Sequence, residues 1–278
     1  MFKNGEKMFD KLIPGSDITY QEKLQQLANQ KLSGIQISKA LGINYTTVHR
    51  WLRKLNINLP NYHNALKFNN KIFDIVDTEE KAYWLGFLYA DGYVSKNGKT
   101  VALDLMGSDI EHLDKFRRFL DYETEIKISD SKCNGNVYPR CRLTMTNSHF
   151  NRALINLGCI PNKSLILSFP KTSIFSSEQL IRHFIRGYVD GDGCVTHTSN
   201  SKLEFIIIGT KEFLNGIKEY CPYIHNILYH KDKRRPDSNT YSLIFANNIA
   251  KAFGRYIYEN ATIFLSRKYN KFLDLINE

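Results

Sequence analysis

Between Tyr20 and Leu55, apolar residues recur every three or four positions, and this spacing predicts three short helices. Leu24, Leu27 and Ala28 form the apolar face of the first. Ile35, Ile37, Ala40 and Leu41 line the second, which starts after Ser33 and stops at Gly42. Val48, Trp51, Leu52 and Leu55 line the third, for which Asn44 is an N-cap. The first eighteen or so residues read as a lead ending near Pro14-Gly15, and residues 61–76, poor in apolar side chains until Ile72, read as a linker. Asp77 and Glu80 resemble a capping box, from which a helix runs through Gly92.

Beyond Gly92 the period shortens to two. Tyr93–Ser95 and Thr100–Met106 read as one hairpin, Glu123–Ser129 and Tyr138–Thr146 as another, with a helix over Asp109–Leu120 between them and one over 147–157 behind them. The same order returns after Pro170. Ser176 and Gln179 cap a helix, Val195–Thr198 pairs with Leu203–Ile208, Glu212–Tyr220 is helical, Asn226–Tyr229 pairs with Tyr241–Phe245, and Ile249–Tyr258 is helical. Two αββαββα repeats are therefore expected, over 77–167 and 168–278, behind an all-α domain over 1–60. The fold class is α+β, two pseudo-symmetric repeats whose antiparallel sheets carry helices on one face and leave the other open as a saddle.

The two repeats share a short pattern. Trp84-Leu85-Gly86-Phe87-Leu88-Tyr89-Ala90-Asp91-Gly92 is matched by Ile185-Arg186-Gly187-Tyr188-Val189-Asp190-Gly191-Asp192-Gly193, with Asp192 lying 101 positions after Asp91. In each copy a small residue follows a glycine by four positions, about one helical turn, so two such helices can pack backbone to backbone. The final glycines are helix stops. Asp91 and Asp192 would then sit side by side at two helix C-termini, where the helix dipole and their mutual repulsion both disfavour them. A bound cation resolves the conflict, and hard oxygen donors suit Mg²⁺ at a phosphodiester site.

This doubled pattern resembles the LAGLIDADG homing endonucleases in their single-chain, two-motif form. The resemblance implies a motif-helix interface between the halves and a catalytic divalent metal on Asp91 and Asp192, two or three Mg²⁺ shared between them, with the carbonyls of Ala90 and Gly191 helping. It also implies that the open sheet faces lie along a DNA major groove. One position departs: the earlier acid of the motif is Asp190 in the second copy but Tyr89 in the first. Lys163 follows Asp91 by 72 residues and Lys268 follows Asp192 by 76, which marks them as symmetry mates. The resemblance makes them active-site lysines that stabilise charge on the scissile phosphate. It also suggests a water-positioning residue at Ser108 or Asp109 and at Thr210 or Lys211.

Composition adds a partner. The net charge is +10, and residues 1–67 hold ten basic against four acidic side chains. Such an excess favours a polyanion. The third predicted helix exposes Tyr45, Thr46, Thr47, His49, Arg50 and Arg53 after a glycine turn, and Ile37 to Trp51 resembles resolvase-like and phage helix-turn-helix domains. A solvated three-helix packing module is the alternative. On the sheets, Ser95, Asn97, Thr100, Asp104, Arg140, Arg142, Thr144 and Thr146 alternate with apolar positions in the first half, and Thr196, Thr198, Asn200 and Lys202 do so in the second. Lys231, Lys233, Arg234 and Arg235 crowd one hairpin tip, a phosphate-binding loop or merely a solvated one.

The five cysteines are scattered, show no Cys-x-x-Cys pair, and read as reduced and structural. No apolar run is long enough to span a bilayer, and an intracellular location is expected. The reading is a monomeric, site-specific endonuclease making Mg²⁺-dependent double-strand breaks in double-stranded DNA. A non-catalytic DNA-binding regulator on the same fold and an intron RNA maturase are its rivals.

Overall fold

A computed structural model describes residues 6–30, 32, 34–59, 68–133, 135–199, 201–221, 229–231 and 238–277. The chain divides into two compact units, Met1–Lys67 and Phe68–Glu278.

In the first unit, α1 (Glu6–Phe9) precedes α2 (Tyr20–Asn29), α3 (Gly34–Leu41) and α4 (Tyr45–Lys54). Helix α2 opens on a capping box: Thr19 Oγ1 accepts from the Glu22 amide at 3.2 Å and Glu22 Oε2 accepts from the Thr19 amide at 2.7 Å. Gly42, at φ +64°, turns the chain between α3 and α4, and Asn44 caps α4 by accepting from the Thr46 amide at 2.9 Å. Leu24, Leu27, Ile37, Val48, Trp51 and Leu52 close the core as their spacing predicts. The lead differs from expectation: Phe9 is buried against Trp51 with ring centroids 5.1 Å apart, and Leu12 bridges Thr19, so an aromatic side chain ties this segment to the core.

The second unit is α+β. Helix α5 (Glu79–Asp91) leads into β1 (Gly92–Val94), β2 (Thr100–Met106), α6 (Ile110–Phe119), β3 (Lys127–Cys133), β4 (Asn136–Thr146) and α7 (Ser148–Asn156). Helix α8 (Leu180–Asp192) leads in the same way into β5 (Gly193–Thr198), β6 (Ser201–Gly209), α9 (Lys211–Tyr220), β7 (Tyr229–Lys231), β8 (Tyr241–Ala246), α10 (Asn247–Tyr258) and α11 (Ser266–Asn277). Both sheets are antiparallel with the same strand order, β1-β2-β4-β3 and β5-β6-β8-β7. Val101, Leu103, Leu105, Leu143 and Met145 point into the core, as do Leu203, Phe205, Ile207, Leu243 and Phe245, and alternate residues face away.

Several boundaries differ from the periodicity. Thr78, not Asp77, caps α5, because Asp77 is drawn into an ion pair with Lys81 at 2.7 Å. Helix α8 starts at Leu180 without a side-chain cap. Strand β3 begins at Lys127 rather than Glu123. Residues 68–76, expected to finish a linker, belong to the second unit: Phe73 and Val76 are buried, and Val76 bridges Phe175. Helix α11 was not expected, since its first turn is polar and only Phe272 and Leu275 signal its buried face. The tip residues Lys233, Arg234 and Arg235, and residues 226–228 of an expected strand, lie outside the described residues.

Candidate functional site

The seam between α5 and α8 is built on reciprocal close approaches. A Cβ on Gly86 would overlap the carbonyl oxygen of Phe184, and one on Gly187 would overlap that of Tyr83. One turn later Gly191 faces the Cβ of Ala90. Only small residues let two helix backbones meet this way. Gly92 and Gly193 end the helices in extended rather than left-handed conformation, at φ −70° and −82°, and their amides still bond the Leu88 and Val189 carbonyls. Each helix therefore passes straight into a strand, and the acids at its last position are delivered to the end of the seam.

Asp91 and Asp192 keep solvent-exposed surface, yet protein packs densely around the rest of each residue. This desolvation, reinforced by the charge of Asp192, pushes the Asp91 carboxyl up to about 6. Desolvation raises Asp192 as well. Lys163 and Lys268 both oppose these shifts at both acids.

The two lysines are held differently. Lys163, half-buried, opens a 3-10 turn (Lys163–Leu165) after Asn162 in the left-handed region at φ +57°, and its ammonium donates to the Gly92 carbonyl. Lys268 is only 6% exposed. From the first turn of α11 its Nζ donates to the carbonyls of Val189 and Gly191, both at 2.9 Å. Its pKa is lowered by burial. The Gly191 carbonyl, expected to face a metal, thus already accepts from Lys268. A cavity of about 260 Å³ opens beside the seam, with Ala90, Lys163, Asp192 and Ile208 among its lining residues.

Of the alternatives for a water-positioning residue, Ser108 and Lys211 are exposed, whereas Asp109 and Thr210 are committed elsewhere. Asp109 is buried and takes a bidentate pair from Arg267, at 2.9 Å and 3.0 Å, which ties the first half to the residue before Lys268. Thr210 is buried, donates to the Leu167 carbonyl and caps α9. The motif's unequal position is also explained. Asp190 is fully buried and accepts from Tyr83 at 2.8 Å, Tyr258 at 2.6 Å and the Leu265 amide at 2.7 Å, whereas Tyr89 donates its hydroxyl to the Leu157 carbonyl. Each anchors its helix to the segment behind it.

Sequence reasoning missed the polar network beside Asp190. Arg186 has no exposed surface and donates to Glu79 at 2.7 Å and to the carbonyls of Ile257 and Ile263 at 2.8 and 2.9 Å. Glu79 also accepts from the Thr262 amide at 2.8 Å. An arginine inside a motif helix was the available signal; its partner lies 107 positions away in sequence.

On the open face of the first sheet, Asp104 accepts from Arg140 at 2.9 Å and from Arg142 at 3.3 Å. Ser95 is not on that face: it is buried and accepts from the Thr100 amide at 2.9 Å. Lys202 is exposed, and Lys231 lies 4.9 Å from the Tyr241 ring. In the first unit, Tyr45, Thr46, Arg50 and Arg53 are exposed along α4, Thr47 is half-buried, and His49 packs on Tyr45 with centroids 4.4 Å apart. No group of three or more His, Cys, Asp or Glu side chains converges on a metal position among the described residues. No described helix is long and apolar enough to cross a membrane.

A family model for a LAGLIDADG-like domain matches residues 179–258. Among solved structures, the homing endonuclease I-WcaI bound to its DNA recognition sequence superposes with a TM-score of 0.50 at 13% identity, over 78% of this chain and 96% of that one. Full-length DUF199/WhiA from Thermatoga maritima gives 0.44 at 15% identity, over 75% and 64%. The meganuclease I-SmaMI bound to uncleaveable DNA gives 0.44 at 12%, over 70% and 88%. None of the curated proteins matches the chain. The second unit has the LAGLIDADG fold, a mixed α+β arrangement with antiparallel sheets.

Proposed function

We propose that the chain is a single-chain, two-motif DNA endonuclease that cuts both strands of a long double-stranded target and acts as a monomer inside the cell. The observation that carries this reading is the pair Asp91 and Asp192 at the exposed end of a helix seam, with Lys163 and Lys268 donating to the neighbouring carbonyls of Gly92 and Gly191. A cation fits there: both donors are oxygens that keep exposed surface, and the desolvation that raises the pKa of both acids penalises a carboxylate that no cation neutralises. Mg²⁺ on these acids, as two or three shared ions with the Ala90 carbonyl as a further donor, would supply an activated water and stabilise the leaving oxygen. The residues of the chain do the rest. Lys163 lines the cavity and neutralises charge on a phosphate there, while Lys268 acts from one layer beneath, holding the carbonyls that end α8. Arg140, Arg142, Lys202 and Lys231, with Lys233, Arg234 and Arg235, engage the duplex. Tyr45, Thr46, Thr47, His49, Arg50 and Arg53 on α4 form a second, helix-turn-helix contact that adds affinity by tethering.

The test is Mg²⁺-dependent cleavage of a randomised duplex library by the wild type beside Asp91→Asn and Asp192→Asn. Defined double-strand cuts that become nicks or vanish in the variants support the reading. Site-selective binding without cleavage under any divalent metal would replace it with a DNA-binding regulator.

A further inference from the structure

The two sheets present different chemistry at equivalent ladder positions. Gly92 pairs with Leu103, which pairs with Leu143; Gly193 pairs with Ile207, which pairs with Leu243. This common register sets Ile208 and Ser242 where the first sheet has Asp104 and Arg142, and it sets Cys194, Ile206 and Ile244 where the first sheet has Tyr93, Ala102 and Thr144. The second sheet therefore carries an apolar row across three strands on the face opposite its core. It is not core by another route: Leu203, Phe205 and Ile207 have no exposed surface, whereas Ile208 is 39% exposed and Ile206 and Ile244 are partly so.

We propose that this row reads the 5-methyl groups of thymines in one half of the target, so that the two half-sites differ in chemistry. The inference rests on the endonuclease reading above. Duplex DNA, rather than an apolar protein, is the occupant for two reasons. Ile208, at the seam end of this row, lines the same cavity as Asp192 and Lys163, so a duplex seated at Asp192 meets the row at that residue. The chain also carries a net +10 charge, and exposed Lys202 lies in the strand that holds Ile206 and Ile208, at the same alternation as both. Within a major groove the one apolar group a base edge offers is the thymine methyl, and aliphatic side chains are its natural partners. The first sheet, with Arg140 and Arg142 fixed by Asp104 at the matching place, is built for hydrogen-bond acceptors instead.

The experiment uses the full chain and duplexes selected by binding from a randomised library. In a selected duplex, thymine is replaced by uracil in one half at a time, which deletes only the methyls. The expected result is a rise in Kd of about fourfold per contacted methyl in one half, with less than a twofold change in the other. Ile206→Ser and Ile208→Ser should erase the thymine preference while binding the uracil duplex as tightly as the wild type does, and Ile208→Val should keep the preference. Equal wild-type affinity for thymine and uracil in both halves overturns the proposal, as does a penalty undiminished in both serine variants. Selection that yields no preferred duplex overturns the endonuclease reading and this one together; a preferred duplex indifferent to uracil overturns this one alone.

Discussion

Gly86 lies directly against the carbonyl of Phe184, and Gly187 stands in the same relation to Tyr83. The obstacle is backbone, which cannot rotate away. Gly86→Ala and Gly187→Ala should each destabilise the second unit by roughly 3 kcal/mol or more, overriding the gain in helix propensity. Gly191 differs, because its neighbour is the Ala90 side chain. Gly191→Ala should cost about 1–3 kcal/mol, and adding Ala90→Gly should recover much of that loss. Urea denaturation of the four variants checks this, and equal losses at Gly191 with and without Ala90→Gly would contradict the packing described.

The raised pKa of Asp91 makes metal-free stability depend on pH. A carboxyl with a higher pKa in the fold than in the unfolded chain binds its proton more tightly in the fold. The stabilisation is full below the ordinary carboxylate range, near 3.9, and is lost as pH rises through about 6. Without metal, the melting temperature should therefore gain a contribution on acidification from pH 7 toward 5 that Asp91→Asn lacks. At pH 7 Asp91→Asn should melt higher than the wild type in EDTA, and added Mg²⁺ should raise only the wild type. Cleavage at subsaturating Mg²⁺ should fall as pH drops, because proton and metal compete for the same carboxylate, and more Mg²⁺ should move the fall to lower pH.

Much of this was legible in the chain because it obeys local rules. Helix and strand periods, Gly86 and Gly187, and the doubled Asp-Gly pair are all sequence-adjacent signals, and the hairpins and the seam follow from them, whereas the β2–β4 and β6–β8 pairings that set the sheet order do not. What escaped depends on partners far apart. Asp109 looked like a free acid at a strand end, but Arg267 occupies it. Nothing in the local pattern assigns Arg186 a partner, yet Glu79 and two loop carbonyls bury it. The apolar run Ile206, Ile207, Ile208 has no period of its own, so its open face could not be separated from its core face until pairing fixed the register.

The Arg186 cluster should behave as a buried ion pair. Removing one partner of such a pair strands the other, at about 3–5 kcal/mol. Arg186→Met should therefore lower stability by that order, and combining it with Glu79→Gln should recover part of the loss, because no unpaired carboxylate then remains against Thr262 and His183. A double-mutant cycle in urea reads the coupling, and strict additivity would refute it.

On α4 the competing readings make opposite predictions. If Arg50 and Arg53 contact phosphates, Arg50→Ala with Arg53→Ala should reduce the slope of log K against log salt by roughly 1.8, at about 0.9 per contact. Stability should hardly change, since both side chains are exposed. A packing module with a solvated face would leave the slope where it was.

Asp104 decides how the arginines of the first sheet meet a duplex. It fixes both guanidiniums, so on the proposed DNA-facing sheet their forks are oriented before any base arrives, at the cost of a carboxylate on that face. Arg142→Ala should lose about 1–3 kcal/mol at one base pair of the target and relax specificity there. Asp104→Asn should do something different. It removes the negative charge and leaves the arginines free to turn toward phosphates, so affinity for unrelated duplexes should rise and the salt slope should steepen. Discrimination between the selected target and its single-base variants should shrink. Binding titrations at two salt concentrations separate these effects. If Asp104→Asn instead weakened all duplexes equally, Asp104 would be holding the sheet rather than aiming its arginines.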